Sequence, residues 1–227
     1  MPSSVTIVGA TGDLGYGLAL RLAKAGTPVV IGSRDGGRAA EAAERAIMQV
    51  PGATVTGLAN PDAVAASDVV VLSVPFASQA STLRSLRESF QPGTLLIDVT
   101  VPLATAVGGR ATRVLGVWQG SAAQAAQELV PRGVTVVSAL HTVAASHLEN
   151  LDHEFAEDTL VCGDDRDAKR RVAELIRQIP GLRPVDGGRL ETSRITEQLT
   201  ALQIGINIRN KATVGMRIVG LPDDAWQ

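Results

Sequence analysis

The chain has one cysteine, three histidines, no excess of basic charge and no apolar stretch long enough to span a membrane. Each shortage closes off a class of protein. With Cys162 alone there is no internal disulfide, and a lone thiol suits a reducing, cytoplasmic compartment. A formal net charge of −2 lacks the cationic footprint that a nucleic-acid partner demands. Met1-Pro2-Ser3-Ser4 runs straight into an apolar segment with no basic region ahead of it, so neither a signal peptide nor a membrane span is expected. There is no G-x-S-x-G elbow, no internal repeat and no low-complexity segment. Cys162 sits in Val161-Cys162-Gly163-Asp164-Asp165, which reads as a strand entering a turn and not as a reactive thiol. What remains is a 227-residue chain, 45% hydrophobic, sized for one substantial core.

Against these shortages stands an abundance of glycine near the start. Val5-Thr6-Ile7-Val8 is followed by Gly9-Ala10-Thr11-Gly12-Asp13-Leu14-Gly15 and then by a helical pattern through Lys24. A pyrophosphate needs exposed backbone N–H groups at a helix N-terminus, where the helix dipole favours an anion. Gly9 would turn the chain out of the strand, Gly12 would admit the phosphate, and Gly15 would let the helix Gly15–Lys24 pack on the sheet. Ala10 stands where the commoner G-x-G-x-x-G spacing has its first glycine. A second strand, Pro28–Gly32, follows at βαβ distance and supports the reading.

The residues after that strand indicate which dinucleotide binds. An acidic residue there usually holds a ribose 2′-hydroxyl, whereas arginine accommodates a 2′-phosphate. This chain has Ser33 and Arg34, then Arg38, which favour NADP over NAD through charge-assisted hydrogen bonds. Asp35 dissents; it would point to solvent or pair with Arg38.

Apolar runs without polar alternation occur at Val5–Val8, Val29–Ile31, Val69–Val74, Thr94–Asp98 and Val134–Ala139, the signature of parallel strands covered on both faces. Val55–Leu58 is a weaker strand. Helical patterns at Arg38–Met48, Gln79–Phe90 and Ser121–Val130 separate them. Beyond Ala139, short strands Thr159–Val161 and Arg183–Val185 flank a helix Asp167–Ile179, and Leu190–Val214 reads as a long final helix. The expected fold is α/β: a Rossmann-type, doubly wound, mostly parallel sheet with a small C-terminal α/β extension ending in a long helix. Residues 1–150 would form the NADP-binding part and 151–227 a smaller part completing the cleft, within what can be one structural domain.

Open α/β sheets bind ligands beyond their strand C-termini. Ser73-Val74-Pro75 and Asp98-Val99-Thr100-Val101-Pro102 lie there, although each proline also serves simply to end a strand, and Asp98 more often caps backbone N–H groups than acts as an acid. The segment Ser138–Leu148 holds two of the three histidines. His141 directly follows a buried strand, where it could donate a hydrogen bond to a ligand carbonyl or move a proton. His147 and His153 read as structural, and no ligand spacing around His141 suggests a metal.

Gly9–Gly15, Gly32-Ser33-Arg34, Val136–Ala145, Val161–Asp165 and Gly181–Asp186 together resemble the NADPH-dependent reductases of the deazaflavin coenzyme F420, nearly end to end. The resemblance implies a compact homodimer that passes a hydride reversibly between NADP(H) and F420. It implies Thr11, Gly12, Asp13 and Leu14 at the pyrophosphate, and Ser33, Arg34 and Arg38 at the 2′-phosphate. Ser73, Val74, Pro75, Val101 and Ala145 would line the nicotinamide, with His141 and Val143 against the deazaflavin. Arg194, Arg209 and Lys211 are candidates for its anionic tail. Ala144 stands where some members carry proline, and Asp13 where some carry asparagine. Other acceptors (ferric, quinone, or small keto or imine compounds) and a non-catalytic NADPH sensor remain as alternatives at this point. A keto-acid or imine reductase would call for a large helical substrate domain, and only about one long helix is left for it.

Overall fold

The computed structural model describes residues 4–222 and 226. The parallel core of the sheet comprises β1 (Val5–Val8), β2 (Val29–Ser33), β3 (Val55–Ala59), β4 (Val69–Leu72), β5 (Leu95–Asp98) and β6 (Thr135–Ser138). β7 (Glu157–Gly163) and β8 (Leu182–Gly188) extend the same sheet, giving the order β3-β2-β1-β4-β5-β6-β7-β8. Every neighbouring pair is parallel except β6 and β7. The chain winds outward from β1 to β3, then returns to lay β4 on β1's other side, with Val5 opposite both Val29 and Val69. That reversal opens a crevice beyond the C-termini of β1 and β4, the ligand position of doubly wound sheets.

The strands are buried runs because helices cover both faces. Ile7, Ile31 and Ile97 join Leu20 and Leu22 of α1 (Asp13–Lys24) in one core layer. Their neighbours Val8, Leu72 and Leu96 join Leu83 of α4 (Phe76–Ser85) and Ala126 of α5 (Ala122–Leu129) in the other. Adjacent strand residues thus serve opposite layers.

Several boundaries differ from the sequence reading, each for a local reason. α1 begins at Asp13, two residues before Gly15, because Gly12 in an extended conformation (φ −96°, ψ 160°) caps the helix. The Gln79–Phe90 segment is instead α4 at Phe76–Ser85, capped by Pro75, followed by a short 3-10 turn at Arg87–Ser89. The strand expected through Val74 stops at Leu72, which leaves Ser73 and Val74 in the loop. α2 (Gly36–Gln49) starts ahead of Arg38 because the Asp35 side chain caps it. α7 (Arg166–Ile176) is capped by Asp165 and ends short of Ile179. The single helix expected over Leu190–Val214 is a 3-10 turn, Leu190–Thr192, and then α8 (Ser193–Asn210). It ends where Lys211 turns left-handed (φ 49°) and the Asn207 side chain accepts the Val214 N–H. Two short helices were not anticipated: α3 (Asn60–Ala65) and α6 (Ala145–Glu149). No helix among the described residues is long and apolar enough to cross a membrane.

Candidate functional site

The turn after β1 is determined by backbone packing. Gly9 has φ +85°, and a Cβ there would lie 2.4 Å from the Ser73 carbonyl oxygen. Its own carbonyl accepts the Gly12 N–H at 3.0 Å, which closes the turn. A Cβ on Gly15 would come within 2.8 Å of the Ala10 Cα, so α1 seats directly on the strand end. Gly12 differs: a Cβ would meet nothing nearer than the Gly9 oxygen at 3.5 Å, and no side chain caps α1. The helix therefore presents its first-turn N–H groups outward, as an anion requires. Thr11 is half-buried in this turn, and Asp13 is exposed in the first turn of the helix. Gly17, which sequence reasoning passed over, packs against α6: a Cβ there would sit 2.7 Å from the Leu148 Cβ.

At the end of β2, Ser33 is buried and its hydroxyl accepts the Asp35 N–H. The Asp35 carboxylate accepts the Gly37 and Arg38 N–H groups at 2.8 and 3.2 Å. It neither points idly to solvent nor pairs with the Arg38 guanidinium; it starts α2. Arg34 and Arg38 are exposed beside it, with no ion pair among the described residues.

A cleft of about 690 Å³ opens beyond the β1–β4 crevice. Gly12, Asp13 and Leu14 line one side of it, Ser73, Val74 and Pro75 the second, and Val101, His141, Val143 and Ala145 the third. Sequence positions more than 130 residues apart thus meet in one cavity. Gly9, Thr11, Gly15, Ser33, Arg34 and Arg38 lie outside this lining, as do Arg194, Arg209 and Lys211. The cleft also takes Leu103, Thr105 and Ala106, from the segment after β5, and Thr200 of α8. The first three follow a strand end, a signal that was available; nothing local marks Thr200.

His141 is aimed by strain and by α8. Leu140 has φ 65°, a conformation costly for a branched side chain, and it turns the chain sharply out of β6. The Leu140 N–H is held by the Thr159 hydroxyl, and the His141 carbonyl accepts the Thr200 hydroxyl at 2.8 Å. Thr196 Oγ1 lies 3.5 Å from His141 Nδ1, whereas the buried Nε2 has no hydrogen-bond partner among the described residues. Burial pushes the imidazole pKa down to about 4, a backbone carbonyl of Asp98 opposing it only in part. The ring is neutral at physiological pH, so it can exchange a hydrogen bond with a ligand and is a poor proton source.

Beneath the cleft runs a buried polar layer. Asp98 accepts the Thr100 N–H at 2.9 Å and the Gln79 amide at 2.7 Å, and Gln79 also donates to the Ala122 carbonyl. Asp98 is thus a capping residue outside the cleft lining; burial raises its pKa to about 6 against those hydrogen bonds. Glu197 of α8 accepts the Ala122 and Ala123 N–H groups at 2.9 and 3.1 Å. Burial pushes it up to about 8. The layer ties α8, which carries Thr196 and Thr200, to α5 and to the ends of β5 and β6.

Three comparisons bear on the chain's family and fold. Residues 4–102 match the family described as NADP oxidoreductase coenzyme F420-dependent. The chain is 43% identical to the F420-dependent NADP reductase of Methanothermobacter thermautotrophicus, over 98% of this chain and 97% of that protein. It is 44% identical to the enzyme of that name from Methanocaldococcus jannaschii, over 96% and 98%. A crystal structure from Arthrobacter sp. fb24, provisionally assigned as an F420-dependent NADP reductase, superposes with TM-score 0.80 at 24% identity, over 96% of this chain and all of that one.

Proposed function

The chain belongs to the F420-dependent NADP reductase family, and from that premise we propose that it passes a hydride directly between NADP(H) and coenzyme F420 across the Gly12–His141 cleft. It is an oxidoreductase that uses these two coenzymes. The observation that carries the finer reading is the convergence of an uncapped helix N-terminus and a neutral, half-partnered histidine on one cavity.

The dinucleotide supplies or takes a hydride at its nicotinamide C4, and the deazaflavin does the reverse at C5. In the reductive direction NADPH, F420 and one proton give NADP⁺ and reduced F420. The protein's work is to position the two rings and exclude water. The Gly9–Gly15 turn, with Thr11, Asp13 and Leu14, holds the pyrophosphate through backbone N–H groups. Ser33, Arg34 and Arg38 receive the 2′-phosphate. Ser73, Val74, Pro75, Val101 and Ala145 form the nicotinamide wall, with Val143 and His141 on the deazaflavin side. His141 exchanges a hydrogen bond with the deazaflavin ring; with its pKa near 4 it orients that ring, and the proton comes from water. Residues 1–150 act as the NADP-binding part and 151–227 as the part that completes the cleft, through Thr200.

The exposed Ile195, Leu202 and Ile208 of α8 support a homodimer formed through this helix. Cys162, the one free thiol, is buried and suits a cytoplasmic enzyme.

Absorbance at the deazaflavin band after mixing protein, oxidised F420 and NADPH tests the proposal, with NADH in parallel. Rapid bleaching with NADPH and slow bleaching with NADH is the expected result. Tight NADPH binding without bleaching would turn the reading to another acceptor or to a sensor.

A further inference from the structure

We propose that His147, His153 and Glu157 form a binding site for one borderline transition-metal ion of the Zn²⁺ or Co²⁺ class. The nitrogen and oxygen atoms of these three side chains lie within 4.8 Å of one another. His147 Nδ1 is 3.1 Å and His153 Nε2 3.9 Å from the same carboxylate oxygen, Glu157 Oε1. Ligands 2.0–2.1 Å from a tetrahedral Zn²⁺ stand about 3.3 Å apart, so the trio is close enough to converge on an ion once an imidazole reorients.

One further observation points to a ligand. His153 Nε2 is buried without a hydrogen-bond partner among the described residues although it faces the carboxylate, a costly state for a ring nitrogen. The two imidazoles are stacked, with centroids 3.8 Å apart and 21° between planes, so one ring must turn off the stack before both in-plane lone pairs can meet a single ion.

The scaffold around the trio is set by residues distant in sequence. Arg21 of α1 donates to the backbone carbonyls of His147, Leu148, Asn150 and His153, so one guanidinium pins both histidine-bearing segments. The Phe155 ring stands edge-on to both imidazoles. Gly215 closes over the acid: a Cβ there would come within 2.2 Å of the Glu157 Cδ. A cleft of about 650 Å³ lined by Arg21, Lys24, Leu151, His153 and Phe155 offers a path in. Two imidazoles and one carboxylate select Zn²⁺, Co²⁺, Ni²⁺ or Cu²⁺ over Mg²⁺ and Ca²⁺, and three protein ligands leave one position for water. The ion would fasten the end of α6 to the start of β7. The inference does not rest on the reading of the catalytic cleft.

Protein stripped with EDTA and titrated with Co²⁺ and with Zn²⁺ tests it. One ion per chain is expected, with visible Co²⁺ absorption of four-coordinate type and a Zn²⁺-dependent rise in Tm. His153→Ala and Glu157→Gln should each weaken binding at least about tenfold, the scale of losses from disturbing a metal site's supporting shell. Should either variant fail to fold, X-ray absorption of the Co²⁺-loaded wild type decides, since the site requires two imidazole ligands. Multiple weak sites, a six-coordinate aqua spectrum, or binding unchanged in Glu157→Gln would overturn the proposal.

Discussion

The end of β1 and the end of β6 face one another across the same cleft and are built by opposite means. At β1 the shape comes from absent side chains within seven residues, Gly9 to Gly15, where added carbons would strike backbone. At β6 it comes from present ones: a strained Leu140, and His141 braced by Thr159, Thr196 and Thr200 from elements far along the chain. A binding surface that backbone alone can make is specified locally. One that needs a buried polar side chain is specified by whatever satisfies that side chain.

The sharpest way to separate the two ends is pH. Glu197 has a folded pKa of about 8 against an ordinary 4.5, raised by burial. The native state therefore holds a proton that the unfolded chain has lost, and stability is fully present below about pH 4.5 and declines as pH rises to about 8. By linkage that decline is worth up to about 5 kcal/mol. Urea midpoints of wild type and Glu197→Gln between pH 5 and 9 should differ in slope, the variant being flatter; equal slopes would mean that α8 is not held through this carboxyl. Asp98 adds a loss of the same sign between about 3.8 and 6, and His141 an opposite gain between about 4 and 6.5, so the difference between the two proteins isolates Glu197.

Gly9→Ala attacks the other end. A left-handed φ combined with a 2.4 Å contact to the Ser73 carbonyl should cost about 2–4 kcal/mol in chemical denaturation. A loss under half a kcal/mol would show that the turn yields. Arg34→Ala should weaken NADPH binding by about 1.5–3 kcal/mol, the range for hydrogen bonds to charged groups, and leave NADH nearly unchanged by calorimetry. Equal losses with both would move the 2′-phosphate elsewhere. The smallest effect is expected at His141→Leu, where one hydrogen bond, about 1 kcal/mol, should be lost from F420 binding. In the wild type the F420 rate should show no inflection near pH 6.5, because the imidazole titrates near 4.

The same contrast explains what could be read from sequence. The glycine turn and the parallel strands were legible because their signals are local. Helix starts slipped by two or three residues where the cap was a glycine or a proline, neither of which has a capping side chain. α6 was missed because five residues carry too little periodicity, and its docking depends on Gly17 in α1. Thr200 depends on long-range packing that no spacing reveals, whereas His147, His153 and Glu157 are near in sequence but are brought together by a turn that Arg21 of α1 holds.

The central claim is that both rings meet in one cleft for direct transfer, and isotope labelling tests it most directly. F420 reduced by this enzyme with NADPH deuterated at the transferred C4 position, in ordinary water, should carry one deuterium by mass spectrometry. Reduced F420 without the label would mean that the hydrogen passes through an exchangeable group and that the two coenzymes do not meet face to face.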